Sequence, residues 1–245
     1  MDDVVRRAVE RAIGTMREKL GEQLTIDDMA RSAMFSKFHF SRVFQQATGV
    51  SPGRFLSAMR LAEAKRLLLT TSITVADISH RVGYNSVGTF SARFSRSVGV
   101  APIAYRQLRG VLPRIPTGEV HRGARCAPVR GQLHAAPGTA PGTVFVGLFP
   151  GRIPEGAPAG YTILDEPGPY LLQNVPQGIW HVVAQCLFRD ERDGTTYTGH
   201  HGPITIQPDV TRIADVRLRP ARTFDPPVLL AFPALNARAA VPVAV

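Results

Sequence analysis

The stretch Phe40-Ser41-Arg42-Val43-Phe44-Gln45-Gln46-Ala47-Thr48-Gly49-Val50-Ser51-Pro52 returns fifty residues later as Phe90-Ser91-Ala92-Arg93-Phe94-Ser95-Arg96-Ser97-Val98-Gly99-Val100-Ala101-Pro102. Six of the thirteen positions are identical, where chance gives about one, and a fixed period of this kind marks a duplicated supersecondary unit. Each copy follows a helix start with an N-cap hydroxyl and an acid three residues on, Thr25-x-x-Asp28 and Thr74-x-x-Asp77. A short helix, a tight turn and a second helix, all duplicated, read as a tandem helix-turn-helix.

Working outward, Val5, Ala8, Val9, Ala12, Ile13, Met16 and Leu20 form one apolar stripe at helical spacing on a charged segment. The first unit spans about 25–47, its second helix opening at Ser36 and stopped by Gly49, since glycine tolerates the positive φ common just past a helix end. Ser51-Pro52 opens a spacer helix over 52–69, with a hydroxyl cap and proline at the first helical position. Its apolar positions include Phe55, Met59, Ala62 and Leu67. The second unit spans about 74–98, and a short helix follows from Pro102 to about Arg109.

The charge is uneven. Residues 1–112 hold 17 Lys and Arg against 9 Asp and Glu, a net of +8, whereas 113–245 hold 12 against 10, a net of +2. A basic excess in the half that carries the repeat predicts a polyanion-binding face there. With 245 residues and 44% hydrophobic content, the chain can bury one or two ordinary cores. No apolar run approaches the roughly 18 to 20 residues needed to cross a bilayer. The charged start, MDDVVRRAVERAIG, lacks the apolar stretch of a signal peptide, so a cytoplasmic location without membrane contact is expected. Cys126 and Cys186 stand apart from any metal-binding spacing and are expected as reduced thiols.

On the second helix of unit one, Phe40, Val43, Phe44 and Ala47 share a packing face, and Phe38, Ser41, Arg42 and Gln45 lie opposite, with Lys37 and His39 near the N-terminal turn. Such a helix suits the DNA major groove, where an arginine can hold guanine O6 and N7 together. In unit two the packing face is Phe90, Phe94 and Val98. The outward face offers Ser86, Val87, Thr89, Ala92 and Arg93, with Arg96 a turn on. Being poorer in donors, this face is expected to contribute phosphate contacts and shape more than base identity.

Residues 1–109 resemble the DNA-binding domain of the AraC/XylS family of bacterial transcription regulators. The resemblance rests on LTIDDMA (24–30), SKFHFSRVF (36–44), TGVSPGRFL (48–56), RLAEAKRLL (60–68), ITVADISHRVGY (73–84) and FSARFSRSVGVAPIAYR (90–106). It implies two recognition helices in successive major-groove segments on one face of the duplex, about one helical turn or roughly 34 Å apart. Carried over, base readout falls on Phe38, Ser41 and Arg42 in unit one and on Val87, Gly88 and Thr89 in unit two. With the flanking outward residues, the DNA-facing set is Ser36, Lys37, Phe38, Ser41, Arg42 and Gln45, then Ser86, Val87, Gly88, Thr89, Arg93 and Arg96. The chain departs from the family at Ala92, Ser95 and Ala101, where arginine, lysine and serine are usual. The family also mostly places this domain last, and here it comes first.

After Gly110 the texture changes. Residues 111–128 read as a Pro-, Gly- and Arg-rich linker, and one short strand is expected near 129–135. Short β-like runs then alternate with turns: 143–149, 161–164, 169–175, 179–188, 203–207 and 211–219. This spacing predicts an antiparallel β-sandwich over 129–235 with a tail at 236–245, and so a multidomain α + β chain: an all-α tandem helix-turn-helix domain (1–110), then an all-β sandwich. The run GPYLLQNVPQGIWHVVAQ (168–185) resembles the carboxypeptidase-regulatory-like, or transthyretin-like, sandwich. Tyr161, Tyr170, Trp180 and Tyr197 are its candidate effector-binding residues. His181, His200 and His201 suggest a metal site with Cys186, but regular strand alternation puts His181 and Cys186 on opposite faces, so no metal and no cofactor is expected. No phosphate loop, nucleophile elbow or catalytic carboxylate spacing is present, so the chain is not expected to be an enzyme. The sequence therefore reads as a double-stranded-DNA-binding transcription regulator whose C-terminal domain senses a small molecule. The alternative is a regulator whose sandwich only mediates protein assembly. RNA polymerase and an effector stand as further partners, and the oligomeric state is open.

Overall fold

The computed structural model describes residues 2–115, 117–118, 125–135, 139, 142–187 and 195–232. The tail at 236–245 and much of the linker lie outside them. The chain forms two compact units: residues up to Leu112 together with Arg222–Ala231, and Pro113–Ala221 together with Phe232.

The first unit is helical: α1 (Asp3–Glu18), α2 (Ile26–Ser32), α3 (Lys37–Thr48), α4 (Pro52–Thr70), α5 (Val75–Arg81), α6 (Val87–Val98) and α7 (Pro102–Gln107). Local chemistry sets most of the ends. The Thr25 hydroxyl accepts from Asp28 N (3.2 Å) while the Asp28 carboxylate accepts from Thr25 N (2.9 Å), a reciprocal capping box. In the second copy the Thr74 hydroxyl likewise accepts from Asp77 N (3.1 Å) and donates to Asp77 Oδ2 (2.6 Å), as the Thr25 hydroxyl does to Asp28 Oδ2 (2.6 Å). Gly49 (φ 76°) and Gly99 (φ 97°) end α3 and α6 in the left-handed conformation. Ser36 and Ser51 occupy N-cap positions, yet neither side chain makes the expected capping bond.

The duplication extends into the core. Phe40 lies 5.4 Å from Phe44, and Phe44 meets Phe55 edge-on at 5.4 Å. Phe90 lies 5.6 Å from Phe94, which meets Tyr105 edge-on at 5.7 Å. In both copies the third ring comes fifteen residues after the first. Two arginines tie the spacer to its neighbours through backbone carbonyls. Arg60 donates to Leu20 O (3.0 Å) and Glu22 O (2.6 Å), and Arg106 to Leu68 O (3.1 Å) and Ile73 O (2.7 Å).

The second unit is β-rich: β1 (Cys126–His134), β2 (Val144–Phe149), β3 (Gly160–Leu164), β4 (Pro169–Pro176), β5 (Gly178–Cys186), β6 (Tyr197–Ile206), β7 (Arg212–Ile213), β8 (Val216–Arg217) and β9 (Arg219–Pro220). One sheet has the order β4-β1-β7 with β8 also on β1, and the other the order β3-β2-β5-β6-β9. Their facing side chains, among them Val129, Leu172, Val146, Val182, Ala184 and Cys186, form one core. The opposite face of the five-stranded sheet is also apolar: Phe145 stacks on Tyr161 (5.8 Å) and meets Phe149 and Phe232. This double burial explains why β2 is buried at every position rather than alternating.

The purely antiparallel expectation fails at β1, which pairs with β7 and β8 in parallel. The chain leaves β6 in one sheet and crosses to the other, and a strand that arrives by crossover has no hairpin to force antiparallel pairing. The single strand expected at 211–219 is three short pieces for the same reason. Ala214, Val216 and Leu218 alternate into the shared core while the backbone pairs first with β1 and then with β6. Within the range expected for the sandwich, residues 222–231 cluster with the helical unit. Finally, β6 begins at Tyr197, not at 203. Gly199 lies at a close crossing: a Cβ there would stand 2.6 Å from Val216 Cγ1 and 2.9 Å from Arg217 O. Gly199→Ala should therefore lower the stability of the β-rich unit by about 1–3 kcal/mol, as overpacking does. Chemical denaturation of the variant checks this.

Candidate nucleic-acid interface

The geometry of the candidate interface follows from which sides of α3 and α6 are buried. On α3, Phe40, Val43, Phe44 and Thr48 are buried. The opposite side is open to solvent: Ser36, Lys37, Arg42 and Gln45 are exposed, Phe38 is 87% exposed, and Ser41 is half-buried. Arg42 reaches back to His39 Nδ1 (3.4 Å), and the Ser41 hydroxyl donates to Lys37 O (2.9 Å), leaving its lone pairs as acceptors. Lys37 pairs loosely with Asp27 (3.4 Å), a surface contact that a phosphate can displace.

Met34 was not singled out by sequence reasoning. It is 81% exposed in the turn between α2 and α3, with φ 61°. Its only sequence signal was position in the turn. With Phe38 it makes an exposed apolar pair beside the polar face of α3.

On α6, Phe90, Phe94, Ser97 and Val98 are buried, and Ser86, Gly88, Thr89 and Arg96 are exposed, with Val87 and Arg93 half-buried. The Ser86 hydroxyl caps Thr89 N (3.4 Å) and is thereby partly committed to the helix start. A Cβ at Gly88 would meet only Ser86 Oγ, at 3.7 Å, so the protein's own packing does not require glycine there. Of the family departures, Ala92 is exposed and Ser95 donates to Ser91 O (2.7 Å) within the helix. Ala101 stands at the N-cap of α7 with no side-chain cap. Ser51, its counterpart in unit one, makes no capping bond either, so the missing hydroxyl removes little.

Hydrogen bonding from Thr25 and then the Arg31 charge hold the Asp28 carboxyl down to about 2. The folded-state value is depressed, so this support for the first helix-turn-helix is complete above the ordinary carboxylate range and lost as pH falls through about 2. Arg31 beside it makes the ion pair with Asp28.

The four candidate effector-binding aromatics do not converge. Tyr170 and Tyr197 are in the core between the sheets, and the Tyr170 hydroxyl donates to Ala214 O. Burial, then the Asp215 charge, push that phenol above its ordinary pKa. Trp180 packs against the same core and donates Nε1–H to Pro176 O (2.8 Å). Tyr161 is on the opposite face of the five-stranded sheet, stacked on Phe145.

Near that outer face, His181 and His200 pair through Nδ1 and Nε2 at 2.8 Å with their rings stacked at 5.0 Å. Burial, then the Arg152 charge, lower the His181 pKa. Cys186 is in the core, apart from them, and His201 bonds Asp215 O (2.7 Å). Among the described residues no group of three or more His, Cys, Asp or Glu side chains is placed to hold a metal. No described helix is long and apolar enough to cross a membrane.

Residues 29–108 match the family described as "Helix-turn-helix domain". The chain is 29% identical over 104 residues to the lactose operon transcription activator of Staphylococcus xylosus, covering 42% of this chain and 37% of that protein. It is 33% identical over 87 residues to the HTH-type transcriptional activator AarP of Providencia stuartii, covering 36% and 64%. Among solved structures, it resembles an AraC-type transcriptional regulator from Chromobacterium violaceum, with 27% identity, a TM-score of 0.41 and coverage of 42% and 93%. The chain thus spans about a third to two thirds of the length of these curated relatives. Its N-terminal unit is an AraC-type helix-turn-helix DNA-binding domain.

The two recognition helices should read unequally. Arg42→Ala is expected to cost about 1–3 kcal/mol on a selected duplex and to relax one base position. Thr89→Ala should cost less and leave the preference nearly unchanged. A binding-site selection on each variant distinguishes the roles, and a sharper half-site under α6 would reverse them.

Proposed function

We propose that this chain is a sequence-specific regulator of transcription of the AraC/XylS type, which binds double-stranded DNA by placing α3 and α6 in successive major-groove segments. The observation that carries the reading is the duplicated arrangement: each helix buries one phenylalanine pair and leaves a polar or cationic face open, on a unit of net charge +8. In this reading Ser36, Lys37, Phe38, Ser41, Arg42 and Gln45 contact DNA from α3. Ser86, Val87, Gly88, Thr89, Arg93 and Arg96 do so from α6, chiefly through phosphates and close approach. The open space in front of Gly88 supports the latter.

The β-rich unit, proposed as a sandwich of the carboxypeptidase-regulatory type, acts as the regulatory module and takes a small-molecule effector. The placement of the four aromatics moves the candidate effector surface to the outer face of the five-stranded sheet. There His181, His200 and Arg152 supply polar groups beside an aromatic layer. Work on DNA places the protein in the cytoplasm, with RNA polymerase as the partner through which transcription responds.

Binding of the full chain to a selected duplex should weaken steeply with salt, with log K falling by about 0.9 per log unit of salt for each phosphate neutralised. Binding that ignores salt, or no binding at low salt, overturns the proposal. The spacer supplies a second check. Ala64 is fully buried within α4, and proline there removes a backbone hydrogen bond and kinks the helix, at about 3 kcal/mol or more. A folded Ala64→Pro variant should lose specific binding while retaining much of its salt-sensitive binding to unrelated duplex. Full affinity for the selected site would show that the two units bind independently.

A further inference from the structure

Residues 222–231 follow β9 directly but belong to the helical unit. Before them, Ala221 N–H donates to Thr196 O (2.8 Å), which ties the chain to the β-rich unit. A tight turn follows, in which Arg222 N–H donates to Asp225 Oδ2 (2.7 Å) and Asp225 N–H to Arg222 O (2.9 Å). Pro226-Pro227 then stiffen the backbone, and Val228, Leu229, Leu230 and Ala231 are buried. Phe232 packs on Phe145, back in the β-rich unit.

Its polar contacts are specific. Lys65, near the middle of α4, donates to Val228 O (3.1 Å) and Leu230 O (3.3 Å), and its ammonium lies 6.0 Å from the centre of the Tyr105 ring. Ala231 N–H donates to Val98 O (3.2 Å) at the last residue of α6. One short segment therefore grips both the spacer helix and the end of the second recognition helix. Burial pushes the Lys65 pKa down to about 8. A leucine or methionine would fill this site without that desolvation penalty. What the ammonium supplies that they could not is a partner for two carbonyls spaced two residues apart, as in an extended chain.

We propose that residues 226–231 are an intramolecular latch within the helical unit that sets α6 on α4, with Lys65 as its positioning residue, so that reading by the second helix-turn-helix depends on the seating of this segment. This rests on the DNA-reading role proposed above.

The test uses the full chain with Lys65→Met, which keeps the stem and removes the donor, and Leu230→Asp, which expels the segment by an independent route. Amide exchange at 228–231 and in the last turn of α6 should rise by about 10-fold or more. Affinity for the selected duplex should fall by roughly 10-fold, while salt-sensitive binding to unrelated duplex stays within about twofold. Unchanged protection of 228–231 in Lys65→Met would show that Lys65 does not hold the latch. Released protection with undiminished specific affinity, in either variant, would show the segment to be a cover and not a positioning element. Both results overturn the proposal. A wild-type chain with no sequence preference would instead overturn the DNA-reading role, and the exchange pattern would still decide whether Lys65 sets α6.

Discussion

The helical unit depends on one requirement met twice. A short helix must bury two phenylalanines one turn apart against a third ring while its other side stays in water. Phe40 and Phe44 meet Phe55, and Phe90 and Phe94 meet Tyr105, at nearly equal spacings. Burying such a side chain contributes about 1.5–3 kcal/mol, far more than any surface contact of the same helix. The rings therefore decide the roll of α3 and α6 about their own axes. Once the roll is set, the position of Arg42 or Thr89 on the open face is no longer free. Recognition geometry is thus a consequence of core packing, and the outward residues can vary without disturbing it.

That division explains what could be read in advance. The helical unit was legible because its signals are local: a repeated aromatic pair, a threonine and aspartate three apart, a glycine just past each helix end. The roles of Arg60, Arg106 and Lys65 were not, since each serves a carbonyl far away in the chain. The capping role of Ser36 and Ser51 was inferred from residue type alone and did not materialise. In the β-rich unit most strands were legible as apolar runs between turns, but pairing was not. The apolar run places a strand only at 203–207, whereas β6 begins at Tyr197. Only the crossing of Val216 and Arg217 gives Gly199 its reason. The sorting of Tyr161, Tyr170, Trp180 and Tyr197 likewise depends on which sheet faces which, a non-local fact.

The same distinction changes the meaning of the charge. A net of +8 on residues 1–112 suggests a surface rich in free cations, but several of these charges face inward or are shared. Arg60, Lys65 and Arg106 donate to backbone carbonyls. Arg11 donates to Ser32 O (3.3 Å) and Ala33 O (3.2 Å), stabilising the end of α2. Arg6 and Arg66 sit in ion pairs on their own helices. Inward cations still add to the long-range field that draws a polyanion in, because that field sums all charges. In the proposed binding mode, cations committed to backbone carbonyls release no counterions, because they are not the ones offered to phosphate. In that mode attraction and contact are carried by different residues. The number of phosphates held should follow the smaller outward set around α3 and α6, and fall well short of the count of basic residues.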